Sequence, residues 1–299
     1  LTGYAMRADT NSVQSVAMSS PGNDPIADPF GERPRKRYSR RHHVLGALFQ
    51  FDSNSAALLK LVDAAFAGLP RHKFPGRTPK LAVQLHLHAE RTLGGVATPP
   101  PLRFHAGAGL ICATADAANY VVVAPAQGAA LVMLSRDMLR FAYHARYELI
   151  EFAVYTLATR CLGLVPLHAA CVARNGKGLL LIGNSGAGKS TLALCSMLAG
   201  LDLVAEDALF VEPDALLATA VPAFLHIQAH SLRFLPKSAA AGIAAKSPTI
   251  KRRSGVAKLE VDLRGAPWRI SRRPVRLVAT IFLGKRVEAG KPELTALDR

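Results

Sequence analysis

Nine consecutive residues carry the clearest chemistry in the chain. Gly183, Asn184, Ser185, Gly186, Ala187, Gly188, Lys189, Ser190 and Thr191 contain the pattern G-x-x-x-x-G-K-[ST], with an apolar run from Gly178 to Ile182 before it and a helical run from Lys189 to Ala199 after it. Strand, glycine-rich turn and helix in that order build a phosphate cradle. The glycines let the backbone wrap a β-phosphate closely, and the exposed N–H groups lie at the positive end of the helix dipole. Lys189 can reach the β- and γ-phosphates of a nucleoside triphosphate, and the Ser190 hydroxyl can ligate Mg²⁺. ATP and Mg²⁺ are the ligands this pattern predicts.

A second feature follows directly. Leu203-Val204-Ala205-Glu206-Asp207 arrives straight after the P-loop helix, so two adjacent carboxylates sit at the end of a neighbouring strand. One could face the metal and the other an incoming hydroxyl, supplying metal binding and base catalysis together.

Three segments in this order, His168-Ala-Ala-Cys-Val-Ala-Arg-Asn-Gly, Leu-Leu-Leu-Ile-Gly183-Asn-Ser-Gly-Ala-Gly-Lys-Ser190 and Leu-Val-Ala-Glu206-Asp207-Ala-Leu, resemble the catalytic core of HPr kinase/phosphorylase and its relatives over about residues 165–212. The resemblance implies an α/β fold: a P-loop nucleotide-binding domain of HPr-kinase type, a mixed sheet with helices. It implies that Lys189 and Ser190 bind phosphate and Mg²⁺, that Asp207 contributes to the metal site, and that Glu206, where the family usually has Asp, is the base for an acceptor serine. His168 matches an active-site histidine of the family. The downstream glycine-containing signature of the phosphorylase reaction is not found, nor is a region for HPr docking, which points away from HPr as acceptor.

These residues need a frame. Residues 1–40 combine Ser, Asn, Asp, Pro and Gly with a basic run (Arg33, Arg35, Lys36, Arg37, Arg40, Arg41) and read as a disordered arm. Residues 41–135 read as a small α/β domain: a strand over Val44 to Phe51, a helix over Ser55 to Gly68 with Ser53 or Ser55 as its N-cap, and strands over Leu81 to Leu87, Gly109 to Thr114 and Tyr120 to Ala124. Residues 136–299 read as a helix, Asp137 to Cys161, packing beneath the kinase-like P-loop domain, in which Asn175-Gly176 turns a hairpin and Leu277 to Leu283 is a further strand.

Half of the 299 residues are hydrophobic, enough for a sizeable core. Cys112, Cys161, Cys171 and Cys195 lack metal or disulfide spacing and read as free thiols. No apolar run reaches transmembrane length and no secretory signal is seen, so the expected address is cytoplasmic, with no membrane span. The net charge of +16 is concentrated late: from Arg233 onward 16 Lys or Arg face five Asp or Glu. Such a field suits an acidic protein or peptide acceptor. Nucleic acid ranks lower, because no aromatic platform interleaves the basic residues. Lys251, Arg252 and Arg253, beside Ser254-Gly255, could reach the γ-phosphate or an anionic acceptor, or form a solvated loop.

The leading expectation is an ATP-dependent kinase acting on a Ser or Thr hydroxyl. The alternatives are a catalytically weak nucleotide-binding regulatory module, a small-molecule kinase or a nucleotide hydrolase, and a homo-oligomer is compatible with all of them. Lys189→Ala is expected to weaken triphosphate binding strongly and to remove phosphoryl transfer, read by titrating a fluorescent ATP analogue. Unchanged affinity and turnover in the folded variant would refute the P-loop assignment.

Overall fold

In the computed structural model, residues 37–76, 78–265, 267–284 and 294–297 are described. Residues 1–36, which hold most of the expected arm and the basic residues Arg33, Arg35 and Lys36, lie outside them. The chain is a mixed α/β structure built around two large sheets.

The first sheet has the order β1-β2-β3-β7-β6-β5-β4. Its strands are β1 (Tyr38–Val44), β2 (Ala47–Ser53), β3 (Lys80–His88), β4 (Arg103–Gly107), β5 (Leu110–Thr114), β6 (Tyr120–Ala124) and β7 (Ala129–Ser135). The run expected as one strand over 44–51 is instead the second half of a hairpin that begins inside the expected arm. Leu45 and Gly46 both adopt positive φ, 50° and 89°, and reverse the chain between β1 and β2. Gly46 supplies the freedom that this turn requires. α1 (Ala56–Phe66) has Ser55 at its N-cap position, although the Ser55 hydroxyl makes no capping hydrogen bond, and the Ser53 hydroxyl accepts the Ser55 N–H at 3.0 Å.

The stretch after β7 is helical but irregular. A 3₁₀ turn (Arg136–Phe141) leads into α2 (Ala142–His144), a π-helical segment (Ala145–Ile150) and α3 (Glu151–Leu162), which Gly163 ends in the left-handed conformation. Its apolar face, with Leu149, Ile150, Val154 and Leu157 fully buried, joins the core of α1 and the first sheet. The helix expected beneath the P-loop part therefore packs on the first sheet. Apolar residues recur through the stretch at helical spacing, and β3, β6 and β7 offer the apolar surface that accepts them.

The second sheet, ordered β11-β9-β10-β17-β13-β12-β8, carries the glycine loop of residues 183–188. It comprises β8 (Val165–His168), β9 (Ala170–Arg174), β10 (Lys177–Ile182), β11 (Asp202–Ala205), β12 (Ala208–Glu212), β13 (Leu217–Thr219) and β17 (Val275–Phe282). Asn175 and Gly176 make the hairpin turn between β9 and β10. β10 runs parallel to β17 and antiparallel to β9. α4 (Lys189–Leu198) packs on this sheet, and Gly200 turns the chain into β11. A third, three-stranded sheet, β14-β16-β15, is formed by β14 (Phe224–Ile227), β15 (Thr249–Lys251) and β16 (Ala257–Asp262), with α5 (Lys237–Lys246) inserted before β15.

The described residues form one compact body, and specific ties join its sheets. The Tyr155 and Phe210 rings meet at 5.1 Å between centroids. His72, buried after α1, accepts from the Thr219 hydroxyl through Nδ1 at 2.6 Å and donates through Nε2 to the Ser271 carbonyl at 3.0 Å. Burial lowers its pKa, in keeping with a neutral ring that uses one nitrogen for each role.

Because Leu157 is fully buried between the helix and the first sheet, Leu157→Ala is expected to cost about 2–5 kcal/mol of unfolding free energy. Leu198→Ala, at a residue 45% exposed, should stay within about 0.5 kcal/mol. Urea unfolding midpoints measured on both variants check the contrast.

Candidate functional site

The glycine loop is held by close approach and by backbone conformation. A Cβ on Gly183 would stand 3.0 Å from the Ala187 Cβ and 3.1 Å from the Leu283 Cβ, so a larger residue would push the loop off β17. Gly188 caps α4 with φ of 101°, a conformation that side-chain-bearing residues rarely adopt. Lys189 is buried, and its Nζ donates back to the loop carbonyls of Gly183 at 2.7 Å and Asn184 at 3.3 Å. Thr191 lies against Ser231, with the two hydroxyls 3.0 Å apart.

Ser190, the second residue of α4, donates its hydroxyl to Glu206 Oε1 at 2.5 Å. Glu206 and Asp207 occupy the bend between β11 and β12, and their side chains diverge. Asp207 Oδ1 pairs with His168 Nδ1 at 3.1 Å and Oδ2 accepts from Arg252 Nη1 at 3.0 Å. The Tyr147 hydroxyl lies 3.4 Å from the same Oδ2. The β8–β12 register explains the first contact: His168 pairs with Ala208, and the Ala169 N–H donates to the Asp207 carbonyl at 3.1 Å. Burial pushes the Asp207 carboxyl up, but the Arg252 guanidinium, helped by His168 and Lys258, outweighs it and holds the group below the ordinary range. Asp207 is therefore anionic at neutral pH. His168 is exposed, and its Nδ1 is the nitrogen facing Asp207, which leaves Nε2 as the other protonation site.

The structure thus brings Ser190, Glu206, Asp207 and His168 to one corner at the mouth of the P-loop. Ser190 is paired with Glu206, whereas Asp207, expected from the resemblance as the metal-side carboxylate, is joined to His168 and Arg252. The basic triplet is not a loop of three solvated charges. Lys251 is exposed, Arg252 packs over the Tyr147 ring at 5.7 Å while holding Asp207, and Arg253 pairs with Glu148 at 2.5 Å and donates to the Pro99 and Pro100 carbonyls.

Behind Glu206 runs a chain of buried charges absent from the sequence expectations. His226 Nδ1 faces Glu206 Oε2 at 3.5 Å, and its Nε2 lies 3.1 Å from Glu260 Oε1. Burial opposes the charged ring, but hydrogen bonding to the two carboxylates prevails and raises the His226 pKa. Glu260 is bound by the Arg146 guanidinium, which lies 4.4 Å above the Phe224 ring and reaches Glu151 Oε1 at 3.5 Å. Burial pushes the Glu260 carboxyl up, and His226 and Arg146 more than reverse it. The Tyr155 hydroxyl donates to Glu151 Oε2 at 3.1 Å. A cavity of about 50 Å³ between these residues and Pro222 has the volume and polar partners for a few ordered waters.

Two local features assemble the chain. The β14–β16 register sets His226 opposite Glu260. The π-helical segment closes a bond from the Glu151 N–H to the Arg146 carbonyl, so residues five apart share one face, where an α-helix would align residues four apart. Neither strand pairing across 34 positions nor a helical register shift has a signature in one sequence. An isolated buried Arg, Glu or His gives no spacing to read.

Comparison with protein-family models and with characterised protein sequences finds no match to this chain. Among the described residues no helix is long and apolar enough to cross a membrane.

Burial pushes the Glu151 carboxyl up to about 7, above the usual carboxylate value, despite Arg146. A raised folded-state value means that the folded protein holds this proton more tightly than the unfolded chain. That contribution to stability is present below about pH 4.5 and is lost as pH rises towards 7. Glu151→Gln removes the titration. Relative to the wild type, the variant is expected to be more stable at pH 8 than at pH 5, measured as the difference in urea midpoints. An offset that does not change with pH would contradict the shift.

Proposed function

We propose that the chain is a phosphotransferase of the HPr-kinase type, moving the γ-phosphoryl group of ATP to a serine or threonine hydroxyl of a protein or peptide. The observation that carries this reading is the divergence of two neighbouring carboxylates at the mouth of the P-loop. Glu206 accepts from the P-loop Ser190, while Asp207 holds the exposed His168.

The donor set fits a hard divalent ion. Ser190 and Glu206 meet oxygen to oxygen. This matches Mg²⁺, which takes one or two protein oxygens and completes its shell with phosphate oxygens and water. When bound, the ion would neutralise charge on the phosphoryl oxygens. Lys189 would bind the β- and γ-phosphates.

On the acceptor side, Asp207 orients His168 through Nδ1 and stabilises the imidazolium that forms when Nε2 takes a proton. The acceptor oxygen bonds to the γ-phosphorus as the bond from that phosphorus to the β–γ bridging oxygen breaks. The hydroxyl proton passes to His168 Nε2, and ADP leaves. Relative to the roles implied by the resemblance, this exchanges the carboxylates: Glu206 serves the metal and Asp207 the base. An acidic acceptor remains the partner class that the positive C-terminal charge favours, with exposed Lys251 beside the site.

Incubation with γ-labelled ATP and protein acceptors tests the reading. Wild-type protein is expected to label Ser or Thr. His168→Ala and Asp207→Asn should each lower transfer by roughly 10²-fold or more while Mg²⁺·ATP affinity stays within a few-fold. Glu206→Gln should raise the Mg²⁺ concentration needed for nucleotide binding. Nucleotide binding without label on any acceptor, or label released only as free phosphate, would overturn the kinase reading.

A further inference from the structure

We propose that His226 is a positioning residue: gripped between Glu206 and Glu260, it fixes the Glu206 carboxylate so that Oε1 faces Ser190. The inference rests on the proposed function, since it concerns the carboxylate assigned there to the metal.

Glu206 leaves a bend rather than a paired strand, so the backbone alone does not define its carboxylate. Its two oxygens have separate partners: Ser190 on Oε1 and His226 on Oε2. A buried carboxylate with one oxygen free would rotate about its last torsion, a broad and nearly unhindered motion. His226 removes that freedom, and it is itself held by its cross-strand pairing with Glu260 and by edge-on contact with the Tyr147 ring at 6.0 Å. Glu260 is in turn fixed by Arg146 from the helix on the first sheet. The orientation of one carboxylate beside the P-loop is therefore tied, through Glu260 and Arg146, to the helical stretch that packs on the first sheet. Outer partners of this kind commonly change metal affinity by about 10- to 100-fold when removed.

The measurement is a titration of the full chain with MgCl₂ in the presence of a fluorescent, non-hydrolysable ATP analogue, set beside the affinity for the same analogue in EDTA. His226→Gln is expected to move the Mg²⁺ midpoint upward by about tenfold or more while the EDTA affinity stays within about twofold. Loss of structure alone would weaken both. Glu260→Gln, which leaves His226 present but loosens its anchor, should shift the midpoint in the same direction by less, and decides the question if His226→Gln does not fold. Glu206→Gln serves as reference. A shift for Glu206→Gln with none for the His226 and Glu260 variants overturns the positioning role and leaves the functional reading intact. No shift for Glu206→Gln removes the metal assignment on which both depend.

Discussion

Glu206 and Asp207 leave the bend after β11 in different directions: Glu206 meets the first turn of α4, and Asp207 meets His168 beside the β8–β12 hydrogen-bonded pair. Everything polar at the site follows from the split. Ser190 and His226 gather on the Glu206 side; His168, Arg252 and Tyr147 gather on the Asp207 side. The Arg252 guanidinium, the His168 ring and the Tyr147 hydroxyl tie Asp207 down, whereas Glu206 depends on one hydroxyl and one imidazole.

Such a concentration of buried charge is costly unless every member has a partner. The sequence Glu206, His226, Glu260, Arg146, Glu151 alternates sign along its length, so each buried ion meets at least one opposite neighbour. Glu151 is the exception in degree, at the end of the chain with Arg146 already shared, which is why its proton is held so tightly. The arrangement gives little net stability of this kind for its size, and its value is geometric: removing any one member would strand its neighbours in a region of low dielectric.

How much of this was legible in the sequence depended on the range of the signal. The strand–glycine loop–helix order around residues 183–188, the Asn175-Gly176 hairpin and α1 are all written in contiguous residues, and the structure forms each of them. β4 and β7 went unseen because Arg103–Gly107 is exposed along its whole length and Ala129–Ser135 lacks clean alternation. The helix after β7 was visible as a helix, but its packing partner was not, since apolar periodicity states that a face is buried without saying against what. Ser190, Glu206 and Asp207 stand in local motifs, whereas His168 is picked out only by the family resemblance. Which carboxylate meets Ser190 was a matter of backbone direction, and His226, Glu260 and Arg146 entered the site only through pairings between distant segments.

The position of β17 has a consequence for how the molecule is made. It lies between β10 and β13, and Lys177 of the strand feeding the glycine loop pairs with Arg276. During synthesis, then, residues 38–162, which hold the whole first sheet and its helices, leave the ribosome with every strand of that sheet in place but ahead of Phe210, Thr219, Glu260 and Ser271, which tie it to the rest of the molecule. The P-loop strand emerges with β9 on one side and an open edge on the other. That edge stays open until β17 has been translated, and non-local pairing of this kind closes slowly. The nascent protein thus has one sheet with all its strands and one that waits for an interior strand, and the open edge of β10 is where a misplaced strand could pair.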